Sequence, residues 1–195
     1  MTRIAAKTFL ILSMSAVVQA ADEYLTLLGF ELEKTTLSEI QSRLGTAPIK
    51  HTGDAAEAYY GICYLSREHN TTVYFESGEM GGPEHTLLGF AVRNTMEKSQ
   101  ICGDLKTDQT NLTLGAIGLG KNIDALRREL PQPVKNIPNG IQYQQLTQVP
   151  FTKKEVESMQ IQDMRHAFWD VIVTIRVFED NGTVSGYEVS KVTSW

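Results

Sequence analysis

The sequence predicts an α+β protein: two tandem helix-plus-antiparallel-sheet repeats forming one compact body behind a removable leader. Three observations carry this expectation. The chain corresponds to itself at a shift of 86 residues, which places residues 28–37 on residues 114–123. Downstream of each copy lie β-branched and aromatic runs bounded by turn residues, the pattern of antiparallel strands. The first twenty residues have the order of a secretory signal and stand apart from the body.

In that leader, Arg3 and Lys7 form a short basic start, residues 9–18 an apolar run, and Val18-Gln19-Ala20 a cleavage site before Ala21. The apolar run is too short for a membrane span, which takes roughly 20 residues, so no stable membrane insertion is expected. Residues 21–104 and 105–195 are the expected first and second repeats. The leader places them in the periplasm or outside the cell.

Each repeat opens with a short strand and a Gly-containing turn, then a helix. Thr36 caps the first helix with Glu39 three residues on, and Leu37, Ile40 and Leu44 form one apolar stripe. Asn122 caps the second, Asp124 sits near its positive end, and Ile123, Leu126 and Leu130 form the matching stripe. Gly45 and Pro131 end the two helices. Strands are expected over 58–65, 71–76 and 86–93 in the first repeat, and over 141–146, 168–179 and 185–193 in the second. Asp180-Asn181-Gly182 is a hairpin signal. The second repeat carries an extra short helix within 151–161, started by a Thr152/Glu155 capping box, and the first a Gly-rich loop over 78–83. Alternation through Val173, Ile175 and Val177 sets Phe178 on the opposite face, whereas its counterpart Phe75 alternates with Val73 as if buried. A bulge near Phe178 would reconcile the two.

Cys63 and Cys102 are the only cysteines. Export to an oxidising compartment favours a disulfide between them, and their spacing matches neither a zinc pattern nor C-x-x-C. Loss of Arg3 and Lys7 leaves 16 basic against 23 acidic residues, a formal charge of −7. That balance argues against nucleic acid, whose phosphates need clustered Lys and Arg. Lys121, Arg127 and Arg128 are offset by Asp124 and Glu129.

The segments K-T-T-L-S-E-I-Q-S-R-L-G-T-A-P (34–48) and L-G-K-N-I-D-A-L-R-R-E-L-P-Q-P (119–133) resemble the β-lactamase-inhibitor-protein-like superfamily. That superfamily includes tandem-repeat secreted inhibitors and the small lipoprotein of the outer-membrane β-barrel assembly machine. The resemblance implies a helix ending in Leu-Gly-x-Pro ahead of antiparallel strands. This chain departs from it in lacking a lipid-attachment cysteine, in ending its second helix with Leu130-Pro131, and in having one cysteine pair instead of one per repeat. The resemblance assigns no binding residue.

No catalytic constellation assembles. His51, His69, His85 and His166 lie in separate segments without a recognised spacing, and His166 with Asp170 falls where the pattern reads as strand. Gly118-Leu119-Gly120 lacks the remaining residues of a phosphate loop and reads as a turn. Glu76, Glu79 and Glu84 are too widely spaced for a calcium loop. No enzyme activity, metal or cofactor is expected.

Tyr59, Tyr60 and Tyr64 share one strand and Tyr74 its neighbour. Successive strand side chains alternate faces, so some of this aromatic area must meet solvent or a partner, while Tyr60, Ile62 and Tyr64 can also roof the core. The expected function is a non-catalytic protein-binding module that presents Tyr59, Tyr60, Tyr64, Tyr74, Glu76 and Arg176 to another periplasmic or secreted protein. The alternative is an inhibitor of a secreted or periplasmic hydrolase, implied by the family resemblance alone.

Overall fold

Alternating apolar residues run further along the chain than the turn signals suggest, and long strands follow. The computed structural model describes residues 23–54, 58–95, 101–106, 112–161 and 167–194, with the backbone alone at 79–81. The expected leader over 1–20, the Glu79 side chain and His166 lie outside the described residues. Strands β1 (Thr26–Leu27) and β2 (Phe30–Glu31) make a small hairpin, and helix α1 (Leu37–Leu44) follows. Thr36 Oγ1 accepts the Glu39 N–H at 3.2 Å and Glu39 Oε2 accepts the Thr36 N–H at 2.8 Å, so both ends of the capping box are closed.

Strands β3 (Lys50–Thr52), β4 (Tyr59–Ser66), β5 (Thr71–Gly78) and β6 (Leu87–Arg93) then run antiparallel, with a 3-10 turn over Glu79–Glu84 before β6. Strand β7 (Gly103–Asp104) adds to β4 in parallel. Helix α2 (Ile123–Glu129) is capped by Asn122, whose Oδ1 accepts the Ala125 N–H at 2.9 Å. Strands β8 (Val134–Ile137) and β9 (Gly140–Pro150), helix α3 (Lys153–Ser158), and strands β10 (Phe168–Asp180) and β11 (Thr183–Ser194) complete the chain.

The expected class is overturned. Strand takes about half of the described residues, and the molecule is mostly antiparallel β, not α+β built of two helix-plus-sheet repeats. One nine-stranded sheet runs β3-β4-β5-β6-β11-β10-β9-β8, with β7 beside β4. Two physical features explain the difference. Among the described residues the helices span only 8, 7 and 6 residues, too little to form a layer: the first two each lay one stripe on the sheet and the third buries none. Strand β6 also pairs directly with β11, Phe90 opposite Val189, which fuses what the sequence suggested as separate ribbons. The expected strand content falls short because β9 runs on to Pro150, past the expected end at 146, and because β3 and β8 are too short and polar to announce themselves.

One face of this sheet is covered. The stripes Leu37, Ile40, Leu44 and Ile123, Leu126, Leu130 join Phe30, Leu114 and Ile117 over the inward residues of the strands in a single core. The caps dock alike: Thr36 bridges Thr86 just before β6, and Asn122 bridges Thr183 at the start of β11. Asn181 and Gly182 turn the β10–β11 hairpin at φ 51° and 77°, the left-handed conformation that the Asn-Gly pair supplies without strain. The register of β10 against β11 shifts between Phe178 and Glu179, so a bulge does stand where the alternation demanded one. Val173, Ile175 and Val177 are buried, and Phe178 faces the other way.

Cys63 and Cys102 form a disulfide with Cα atoms 4.8 Å apart, tying the segment that carries β7 to β4. The Arg67 Nε–H adds a hydrogen bond to Asp104 Oδ1 at 2.7 Å beside it. Among the described residues no helix is long and apolar enough to cross a membrane.

Candidate functional site

The uncovered face of the sheet begins with side-chain parity. On β4, Ile62 and Tyr64 point into the core, so Tyr59, Gly61 and Cys63 point out. On β5, Val73 and Phe75 are buried, which turns Tyr74 and Glu76 outward. Paired residues of neighbouring strands share a face, and the register therefore lays the outer surface out in rows. One row runs Lys50, Gly61, Glu76, Gly89, Ser190, Thr174 and Gln144. The next runs Cys63, Tyr74, Ala91, Glu188, Arg176 and Gln142, and a third holds Thr72, Arg93, Gly186 and Phe178.

Small residues at Gly61, Gly89, Ala91 and Gly186 hollow out the middle of these rows. A groove of about 500 Å³ lies between Lys50, Tyr59, Tyr74, Glu76, Arg93 and Glu188. A second recess of about 350 Å³ continues it towards Thr174, Arg176 and Ser190. The Tyr59 ring lies over the gap left by Gly61, 3.6 Å from where a Cβ would stand, and is still 38% exposed. At Gly186 a Cβ would stand 2.8 Å from the Val92 carbonyl oxygen, so the β6–β11 joint requires glycine there.

Charge in the groove is organised around Glu188. One carboxylate oxygen pairs with Arg93 Nη2 and the other lies 3.7 Å from Arg176 Nη1. The Arg93 guanidinium also stacks on the Phe178 ring, 4.4 Å from its centroid. Arg176 Nε–H donates to Gln142 Oε1 at 3.1 Å. Both arginines are thus held in position by the sheet.

Glu76 is exposed to solvent at the groove, yet no carboxylate–cation pair closes on it among the described residues. Crowding by the groove pushes its pKa above the ordinary carboxylate value, the negative charge of Glu188 pushes the same way, and Arg93 opposes both. A carboxyl whose folded-state pKa is raised binds its proton more tightly in the native state. Its contribution to stability therefore falls as pH rises from the ordinary glutamate value through the raised one. A ¹³C-carboxyl NMR titration should find Glu76 among the highest of the glutamates, with Glu188→Gln bringing it down. An unperturbed titration of Glu76 would contradict this electrostatic description.

Of the residues expected at a site, Tyr59, Tyr74, Glu76 and Arg176 share this outer face. Tyr64 does not: it is fully buried, its hydroxyl donates to the Gly45 carbonyl at 2.9 Å, and burial pushes its pKa up to about 12. Tyr60 packs at the margin of the core against His51, with ring centroids 4.9 Å apart. Both tyrosines are roof residues, because the parity fixed by Ile62 carries them inward. Arg93 and Glu188 are not among the expected site residues, and Phe178 is expected on this face only from its parity. Parity was the available signal, since each alternates with buried neighbours such as Val92, Tyr187 and Val177.

Elsewhere, Trp169 packs edge-on against Phe151, with ring centroids 4.8 Å apart, and its Nε1–H donates to Glu155 Oε1 at 3.1 Å. Asp170 accepts from Gln148 Nε2 at 3.1 Å. Glu84 accepts from the Ser38 hydroxyl at 2.6 Å, which commits it to the α1 side of the molecule, away from Glu76. Gly120 adopts φ 77°, the turn conformation read from Gly118-Leu119-Gly120. No group of three or more His, Cys, Asp or Glu side chains is placed to hold a metal among the described residues. No family model, curated protein or solved structure matches this chain.

Proposed function

We propose that the protein is a non-catalytic binding module of the bacterial envelope, exported to the periplasm or beyond, and that it takes a partner protein on the outer face of its sheet. The observation that carries this reading is the convergence of Tyr59, Tyr74, Glu76 and Arg176 on one hollowed surface, opposite the face that the helices cover. Tyrosine and arginine are the residue types enriched at protein interfaces, where a rigid ring or fork loses little entropy on contact. Arg93 and Arg176 are already oriented by Glu188, so ordering them on binding costs little. The sheet beneath supplies a stiff floor.

The test is photo-crosslinking in intact cells of the native host, with a benzophenone amino acid at Tyr59 or Thr174 on the outer face and at exposed Lys154 on α3 as the control. A discrete heavier adduct is expected from the two outer positions and not from Lys154. No adduct from either outer position, or the same adduct from all three, would overturn the reading.

A further inference from the structure

The long strand β9 is paired on both sides only along part of its length. Strand β10 accompanies it from Gly140 to Pro150, whereas β8 pairs with it only from Gly140 to Tyr143. Among the described residues, no strand pairs with residues 144–150 on the side away from β10. Seven residues of strand are about 24 Å of edge, along which the N–H and C=O groups of alternate residues face away from β10 and meet no strand among the described residues.

Strand edges are ordinarily protected from pairing by charge, by proline or by a covering element. Here proline stands only at the end, at Pro150, and there is no charged residue between Lys135 and Lys153. Two apolar side chains stand out from this edge, Leu146 at 61% exposure and Val149 at 43%. On the outer face Leu146 continues an apolar row with Ile172 and Val192, the last 45% exposed.

We infer that residues 144–150 pair antiparallel with the same segment of a second copy of this chain about a two-fold axis. The neutrality of the edge selects this occupant. In a two-fold contact each residue meets members of its own segment, so any charge there would tend to face its like. A different partner would be selected by complementary charge, and this edge offers none. Full overlap centres on Thr147 and sets Leu146 beside Gln148 of the second copy and Gln145 beside its Val149. Strand β8 limits the slot at one end, and Pro150, with no N–H to give, limits it at the other. The contact uses the edge, and leaves the groove around Glu76 to the partner proposed above.

An interface of this size falls below the standard area for a tight complex, so association is expected on the order of tens of micromolar. Sedimentation of the purified protein from about 1 µM to about 1 mM should show a monomer–dimer equilibrium. Deuterium exchange should slow at alternate amides of 144–150 as concentration rises. The double variant Leu146→Lys, Gln148→Lys places like charges opposite each other at exposed positions, and should weaken association at least about 10-fold while the circular dichroism spectrum is unchanged. Three results would overturn the inference: a monomer throughout, a dimer that the double variant leaves intact, or protection of these amides that appears only when another protein is added.

Discussion

Protein in which Cys63 and Cys102 are reduced, or both replaced by serine, is expected to lose about 4 kcal/mol of stability. The bond closes a loop between residues 39 apart in sequence, and opening it releases chain entropy to the unfolded state. The native state loses cohesion as well. Strand β7 is only Gly103–Asp104, paired with Tyr64 and Leu65 of β4; the exposed Arg67–Asp104 pair lies beside it, and Leu105 follows into the core, its N–H donating to the Leu65 carbonyl at 2.8 Å. An exposed pair of that kind contributes under about 1 kcal/mol, so the burial of Leu105 and the covalent link are the two main ties of this segment to the sheet. Urea unfolding of oxidised and reduced protein measures the difference directly. A loss below about 1 kcal/mol would show that the segment is held by something other than the disulfide.

Truncating Phe75 to alanine is expected to cost about 3–5 kcal/mol, or a melting temperature lower by roughly 10 °C. Phe75 is fully buried and meets Phe30 edge-on at 5.6 Å and Tyr64 at 6.5 Å between ring centroids. It therefore couples the β1–β2 hairpin to the middle of the sheet. Removing the ring leaves a cavity that Phe30 and Tyr64 cannot both collapse into, because Tyr64 is pinned by its hydrogen bond to Gly45. Thermal melts of the variant check this, and a shift of only one or two degrees would mean that the site repacks.

Much of the local structure is legible in the sequence, for identifiable reasons. The caps Thr36, Asn122 and Thr152 and the hairpin at Asn181-Gly182 depend on short-range chemistry, and each lies where its residues indicate. The core stripes of α1 and α2 follow from helical spacing, and the bulge beside Phe178 from a conflict of parity. The class of fold depends on something longer-ranged, the joining of β6 to β11 between residues nearly a hundred positions apart. No local pattern encodes that pairing, so two helix-led ribbons suggested an α+β body where one sheet dominates. The candidate site divides in the same way. Tyr59, Tyr74, Glu76 and Arg176 can be placed on one face by alternation within single strands. The ion pair of Arg93 with Glu188 exists only because β6 and β11 lie side by side, and Tyr60 and Tyr64 are excluded only once the parity of β4 is fixed.

Tyr74 and Phe75 are adjacent on β5 and point to opposite faces, which makes them the most direct test that the open face binds and the covered face stabilises. Tyr74→Ala and Phe75→Ala should be compared by thermal melting and by recovery of the adduct crosslinked at Thr174. Tyr74→Ala is expected to melt within about 1 kcal/mol of the parent and to lose most of the adduct, whereas Phe75→Ala should show the large loss of stability. A Tyr74→Ala protein that still yields the adduct in full, or that melts as early as Phe75→Ala, would contradict the account.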